Sequence, residues 1–144
     1  MSRGRVILAD RHQEMLEGIR GLLETMFEVV VMVADEDSLC DAAAKLNSDL
    51  AVVDLSLPAS GGVNIVRQVK NCFPDLKLVI LSIHDDTTAV KQVMAMGAEG
   101  FVLKRSAATD LVPAVRAVLK GRKYVSPMVK KELRQPASGE TGKR

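Results

Sequence analysis

Five short, near-continuously apolar runs alternate with segments of helical period, and this alternation leaves the chain few folds to choose from. The runs lie at 5–9, 28–34, 50–54, 76–82 and 100–103. Strands with one wet face would alternate apolar and polar residues. Unbroken runs such as Leu50–Val53 instead fit parallel strands covered on both faces. Between the runs, Met15, Leu16, Ile19, Leu22, Leu23 and Met26 fall on one helical stripe. Leu111, Val112, Val115, Val118 and Leu119 fall on another. Segments 37–46, 62–72 and 86–96 complete the helices, with Gly97 placed as a C-cap and Pro74 as a stop. The expected fold is therefore α/β: a flavodoxin-like, doubly wound, five-stranded parallel sheet in the order 2-1-3-4-5, with helices on both faces.

In such sheets ligands bind beyond the carboxyl ends of the strands. Those ends carry Asp10, Ala34-Asp35, Asp54, Ser82 and Lys104. Strands 1 and 3 are neighbours in this order, so Asp10 and Asp54 should share one crevice. Strand 4 adds a hydroxyl and strand 5 an ammonium. A carboxylate can attack phosphorus and form an acyl phosphate. That transfer needs positioning and charge neutralisation, which Mg²⁺, a lysine and a hydroxyl supply. A single aspartate after a strand is more often a turn or helix cap. Four such groups at four ordered strand ends are harder to explain structurally.

With these residues in place, the chain resembles the receiver domain of bacterial two-component response regulators over roughly residues 4–122. "VVDLSLP" is similar to the phosphoacceptor motif. The resemblance implies Asp54 as the phosphorylated residue, Asp10 and Asp54 as metal ligands, and the Ser56 backbone carbonyl as a further ligand. Pro58 and the Gly61-Gly62 pair fit the loop that follows. "VILS" and "GAEGFVLKRS" put Ser82 and Lys104 at the catalytic hydroxyl and lysine positions, with Ser82 and Phe101 as switch residues. "DRHQEMLEGIRGLLE" and "KGRKYVSP" resemble the LuxR-type (NarL/FixJ) subfamily, whose receivers precede a helix-turn-helix domain. The implied function is a phosphoacceptor in two-component signal transduction that controls transcription. It would not be an enzyme in its own right. Its implied cofactor is Mg²⁺ and its implied partners are a histidine kinase and a second copy of itself.

One position departs from the pattern. Two adjacent acids normally follow strand 1, whereas here Asp10 is followed by Arg11. Pointing inward, Arg11 would cancel charge in the crevice and oppose Mg²⁺ by several times thermal energy. Pointing outward, it would leave Asp10 as the acid beside Asp54, with Glu14 as a further candidate. His12 reads as a packing or capping residue, and His84 and Asp85 as a solvated loop. Two other functions are consistent with parts of the pattern. A pseudo-receiver acting by protein-protein interaction would draw its support from Arg11. An aspartate-based phosphatase would need an acid where Ser56 stands.

The rest of the chain narrows the setting. Its net charge of +2 does not by itself argue for nucleic acid. Cys40 and Cys72 lack metal spacing and read as reduced, partly buried thiols of a cytoplasmic protein. Neither a signal peptide nor a membrane span is expected. The receiver is expected over 1–124. Residues 125–144 read as a linker or tail, with a short helix near 127–134, and are too few for a helix-turn-helix domain. The chain would then be either a fragment of a longer regulator, reaching DNA through a domain that it lacks, or a stand-alone receiver, and the basic residues Lys120, Arg122, Lys123, Lys130, Lys131 and Arg134 read as a solvated linker.

Overall fold

A computed structural model describes residues 4–12, 17–57, 64–83 and 87–129. The expectations for Glu14, Pro58, Gly61-Gly62, His84 and Asp85, and for the chain from Lys130 onward, lie outside these residues. In chain order the elements are β1 (Arg5–Ala9), α1 (Glu17–Glu24), β2 (Val29–Val33), α2 (Glu36–Lys45), β3 (Leu50–Asp54) and α3 (Asn64–Cys72). They continue as β4 (Lys77–Ser82), α4 (Thr87–Ala95), β5 (Gly100–Leu103), a 3₁₀ turn (Lys104–Ser106), α5 (Ala107–Leu119) and β6 (Tyr124–Val125). The sheet is parallel throughout, in the order β2-β1-β3-β4-β5-β6.

The sheet is covered on both faces, and the period of two along each strand assigns residues to each face. Val6, Leu8, Val52, Val79, Leu81 and Val102 pack with Leu23 of α1 and Leu111, Val115 and Val118 of α5. Ile7, Ala51, Val53, Leu78, Ile80 and Phe101 pack instead with Leu39 of α2, Ile65 and Val69 of α3, and Val90 and Val93 of α4. All of these side chains are essentially out of contact with water, which explains why the runs read as continuously apolar. Local signals fall where expected. Gly97 has φ +112° and ends α4, with Gly97 N–H donating to Met94 O and Ala98 N–H to Val93 O. Asp35 is a helix cap, its carboxylate accepting from Ser38 N–H at 2.8 Å. The thiols differ from expectation in that Cys72 is exposed, while Cys40 is half-buried.

The expected five strands are six. Tyr124 and Val125 lie parallel to Gly100 and Phe101. Tyr124 N–H donates to Glu99 O and Ser126 N–H to Phe101 O. The Ser126 hydroxyl, itself buried, accepts from Leu103 N–H at 3.0 Å. Val129 is fully buried against the same cluster as Phe101. A two-residue strand carries no periodicity, and the Ser-Pro after it reads as a linker, so its sequence signal is weak. Val129→Ala should therefore destabilise the protein by about 2 kcal/mol in urea unfolding, as expected for two lost buried carbons. An effect near zero would contradict the packing of this segment.

Candidate functional site

The register of the sheet brings the acids together. Ala9 pairs with Val53, so the next residues, Asp10 and Asp54, end adjacent strands side by side. Asp54 pairs with Leu81, and Ser82 with Leu103, which puts Ser82 and Lys104 along the same rim. Asp10 and Asp54 are 0% and 2% exposed, and Ser82 is buried beside them.

Two carboxylates out of water need a cation. The Lys104 ammonium supplies it, 2.6 Å from Asp10 Oδ2 and 3.2 Å from Asp54 Oδ2. Ser56 adds two donors to Asp54, its hydroxyl at 2.5 Å on Oδ2 and its N–H at 3.2 Å on Oδ1. The expectation for Ser56 concerned its carbonyl, whereas these contacts come from its hydroxyl and amide. Burial opposes ionisation of Asp54. The Ser56 hydroxyl and N–H and the Lys104 ammonium outweigh it and hold the carboxyl below the usual carboxylate range.

Arg11 is exposed, and among the described residues the side chain after it enters the crevice instead. His12 N–H donates to Asp10 Oδ1 at 2.8 Å, closing a short turn of the kind aspartate favours. This turn brings the imidazole over the acids, with Nδ1 3.4 Å from Asp10 Oδ1 and 3.8 Å from Asp54 Oδ2. Donor atoms of Asp10, His12 and Asp54 all lie within 4.8 Å of one another, close enough to hold one metal ion. His12 was expected to pack or cap. Its backbone does cap Asp10, but its side chain belongs to the site. Phe101 is fully buried in β5, three residues before Lys104.

Residues 6–116, well over half of the chain, match the family described as the response regulator receiver domain. The chain belongs to that family. This receiver is 35% identical over 131 residues to the transcriptional regulatory protein DegU of Brevibacillus brevis, covering 90% of the chain and 56% of DegU. It is 33% identical to RcsB of Escherichia coli K12, covering 99% of the chain and 68% of RcsB. A solved structure of the RcsB response regulator of Salmonella typhimurium superposes with a TM-score of 0.90 at 31% identity, covering 98% of this chain and 72% of that one. The receiver thus spans between about half and two thirds of the length of these curated relatives.

Two outcomes follow from the geometry. Ser56→Ala removes one of the groups favouring ionised Asp54, so the carboxyl carbon of Asp54 should titrate at higher pH in the variant. The folded pKa lies below the unfolded value of about 3.9. The stability it contributes is therefore full above that value and lost as pH falls through the folded pKa. Wild-type protein should accordingly lose more stability than Ser56→Ala below about pH 4. Arg11, exposed to screened solvent, should matter little to a cation in the crevice. Calorimetry should show Arg11→Ala altering Mg²⁺ affinity by less than about threefold, and a larger gain would put the guanidinium inside.

Proposed function

We propose that this receiver accepts a phosphoryl group on Asp54 and thereby switches the output of a two-component regulator. The observation that carries the reading is Lys104, held by Asp10 and Asp54 together at the mouth of the sheet. Asp54 is kept ionised and is the nucleophile. One of its oxygens bonds to phosphorus as the bond from phosphorus to the donor, a phosphohistidine of a kinase or acetyl phosphate, breaks. The displaced group leaves with its electron pair: acetate departs as the anion, whereas the kinase imidazole takes a proton from water. Lys104 follows the charge onto the phosphoryl oxygens, and the Ser82 hydroxyl donates to another of them.

Asp10 and Asp54 are hard oxygen donors of the kind Mg²⁺ takes one or two at a time. With Arg11 exposed, Asp10, Asp54 and Lys104 sum to −1, which still attracts a divalent ion. Bound there, Mg²⁺ would neutralise phosphoryl charge. The exposure of Arg11 also weakens the case for a pseudo-receiver with weak or no Mg²⁺-dependent phosphorylation. Against a phosphatase, Ser56 stands where a general acid would be needed, and it donates to Asp54.

Downstream, a phosphoryl group drawing on Ser82 and Lys104 favours one of two arrangements of β5 and its neighbours, Phe101 included. RcsB binds DNA as dimers, and we extend both properties to this receiver: pairing as a C₂ homodimer, and transcriptional control through a DNA-binding domain that is not among its residues. Its setting is the cytoplasm, and among the described residues no helix is long and apolar enough to cross a membrane.

Intact mass after incubation with acetyl phosphate and Mg²⁺ tests the assignment. Wild-type protein should gain one hydroxylamine-labile phosphoryl mass, and Asp54→Asn should gain none. An adduct of the same lability on Asp54→Asn would sink the choice of Asp54.

A further inference from the structure

His12 lies at the pocket without a part in the chemistry described so far. We infer that it is a third metal ligand, and that its nitrogen makes the pocket a site for a first-row transition ion of the Co²⁺–Zn²⁺ class. This deepens the metal assignment made above and rests on it.

Spacing comes first. Donors about 2.1 Å from a shared ion stand roughly 3.0 Å apart at a right angle and roughly 3.4 Å apart at the tetrahedral angle. The observed separations of His12 Nδ1, 3.4 Å to Asp10 Oδ1 and 3.8 Å to Asp54 Oδ2, need only a few tenths of an ångström of closure. The His12 side chain is 42% exposed, so its ring has room to make that adjustment. Its backbone is already tied to Asp10.

Lysine and imidazole approach Asp10 through different oxygens. Lys104 approaches Asp10 through Oδ2, whereas His12 faces Oδ1. The two cations, lysine ammonium and metal, would thus lie on different oxygens of Asp10, while Asp54 Oδ2, which also accepts from the Ser56 hydroxyl, would be shared between them.

Charge and donor chemistry point the same way. Mg²⁺ relies on charged oxygen ligands and keeps its waters. A pocket summing to −1, with arginine where a second acid would stand, gives it a weak field. A neutral imidazole adds a strong donor without adding charge, and imidazole favours Co²⁺, Ni²⁺ and Zn²⁺ over Mg²⁺. The substitution of the neighbouring acid and the inward turn of His12 therefore act together, shifting the preference from a hard ion to a borderline one.

The test uses the full chain without an affinity tag, because the chain has only two histidines. Co²⁺ is titrated by visible absorption and Zn²⁺ and Mg²⁺ by calorimetry, on wild type, His12→Ala, His12→Gln and the control His84→Ala. Wild type and His84→Ala should bind Co²⁺ and Zn²⁺ at least about tenfold more tightly than Mg²⁺. Both His12 variants should lose about tenfold or more of the Co²⁺ and Zn²⁺ affinity, with Mg²⁺ affinity kept within about twofold. Melting curves of the metal-free proteins check that the variants fold. On the wild type itself, Co²⁺ should broaden the His12 ring signals in the NMR spectrum, which needs no variant. Equal Co²⁺ affinity with and without His12, or unbroadened His12 ring signals at saturation, would overturn the inference. The two readings fail separately. An Asp54 phosphoryl adduct formed with Mg²⁺ alongside His12-independent Co²⁺ binding removes only His12. Co²⁺ binding that depends on His12, with no adduct in either metal, supports the ligand and removes the phosphoacceptor.

Discussion

The fold closes around a charge problem, and Lys104 solves it. Two carboxylates stand side by side at the ends of β1 and β3, both essentially without water. With oxygens within 4.8 Å of each other, such a pair repels by about 4 kcal/mol at an effective dielectric near 20. One ammonium within hydrogen-bond reach of both turns that repulsion into two attractions. Because the cation is a lysine and not a fixed guanidinium fork, it is a compact point charge on a flexible stem. The pairing is strong enough to hold the pocket and able to re-form around a third anion.

Everything that delivers these groups is backbone register backed by apolar packing. Ala9 opposite Val53 and Ser82 opposite Leu103 are fixed because a slip of one residue would turn every core side chain to the wrong face. On one side that slip would expose Leu23, Leu111 and Val115 to the wrong partners, on the other Leu39, Ile65 and Val90. The polar crevice is thus located by two hydrophobic clusters that themselves contain no part of its chemistry. Ser56 and His12 are set differently, by short turns that hydrogen-bond to the acids they serve.

That division explains what could be read from the sequence. Asp10, Asp54, Ser82 and Lys104 were legible because each follows an apolar run, and topology alone brings strand ends together. Asp35 follows a run too, but it ends the edge strand β2 and its carboxylate is taken by Ser38 N–H as a helix cap, so position at a strand end does not suffice. The direction of Arg11 and the entry of His12 were not legible. Both depend on the φ and ψ of Asp10, Arg11 and His12 in the turn after β1, and side chains one residue apart there diverge. The single hydrogen bond from His12 N–H to Asp10 decides between them. β6 was missed for another reason: its two residues are held by pairing with Gly100 and Phe101 of β5, across the whole of α5, which no local pattern reports.

The sixth strand alters what the lysine is attached to. Leu103, the residue before Lys104, gives its N–H to the buried Ser126 hydroxyl, and Phe101 O accepts from Ser126 N–H. β5 is only four residues long, with Phe101 in one core cluster and Val102 in the other. A buried N–H that loses its acceptor costs about 1–3 kcal/mol, so β5 and the segment from Tyr124 to Val129 are favoured to move together. The residue before Lys104 is thus tied to the segment beyond α5 by a buried hydrogen bond. The acids at one end of the sheet and the segment at its edge are joined through Lys104, the Leu103 N–H and one serine hydroxyl.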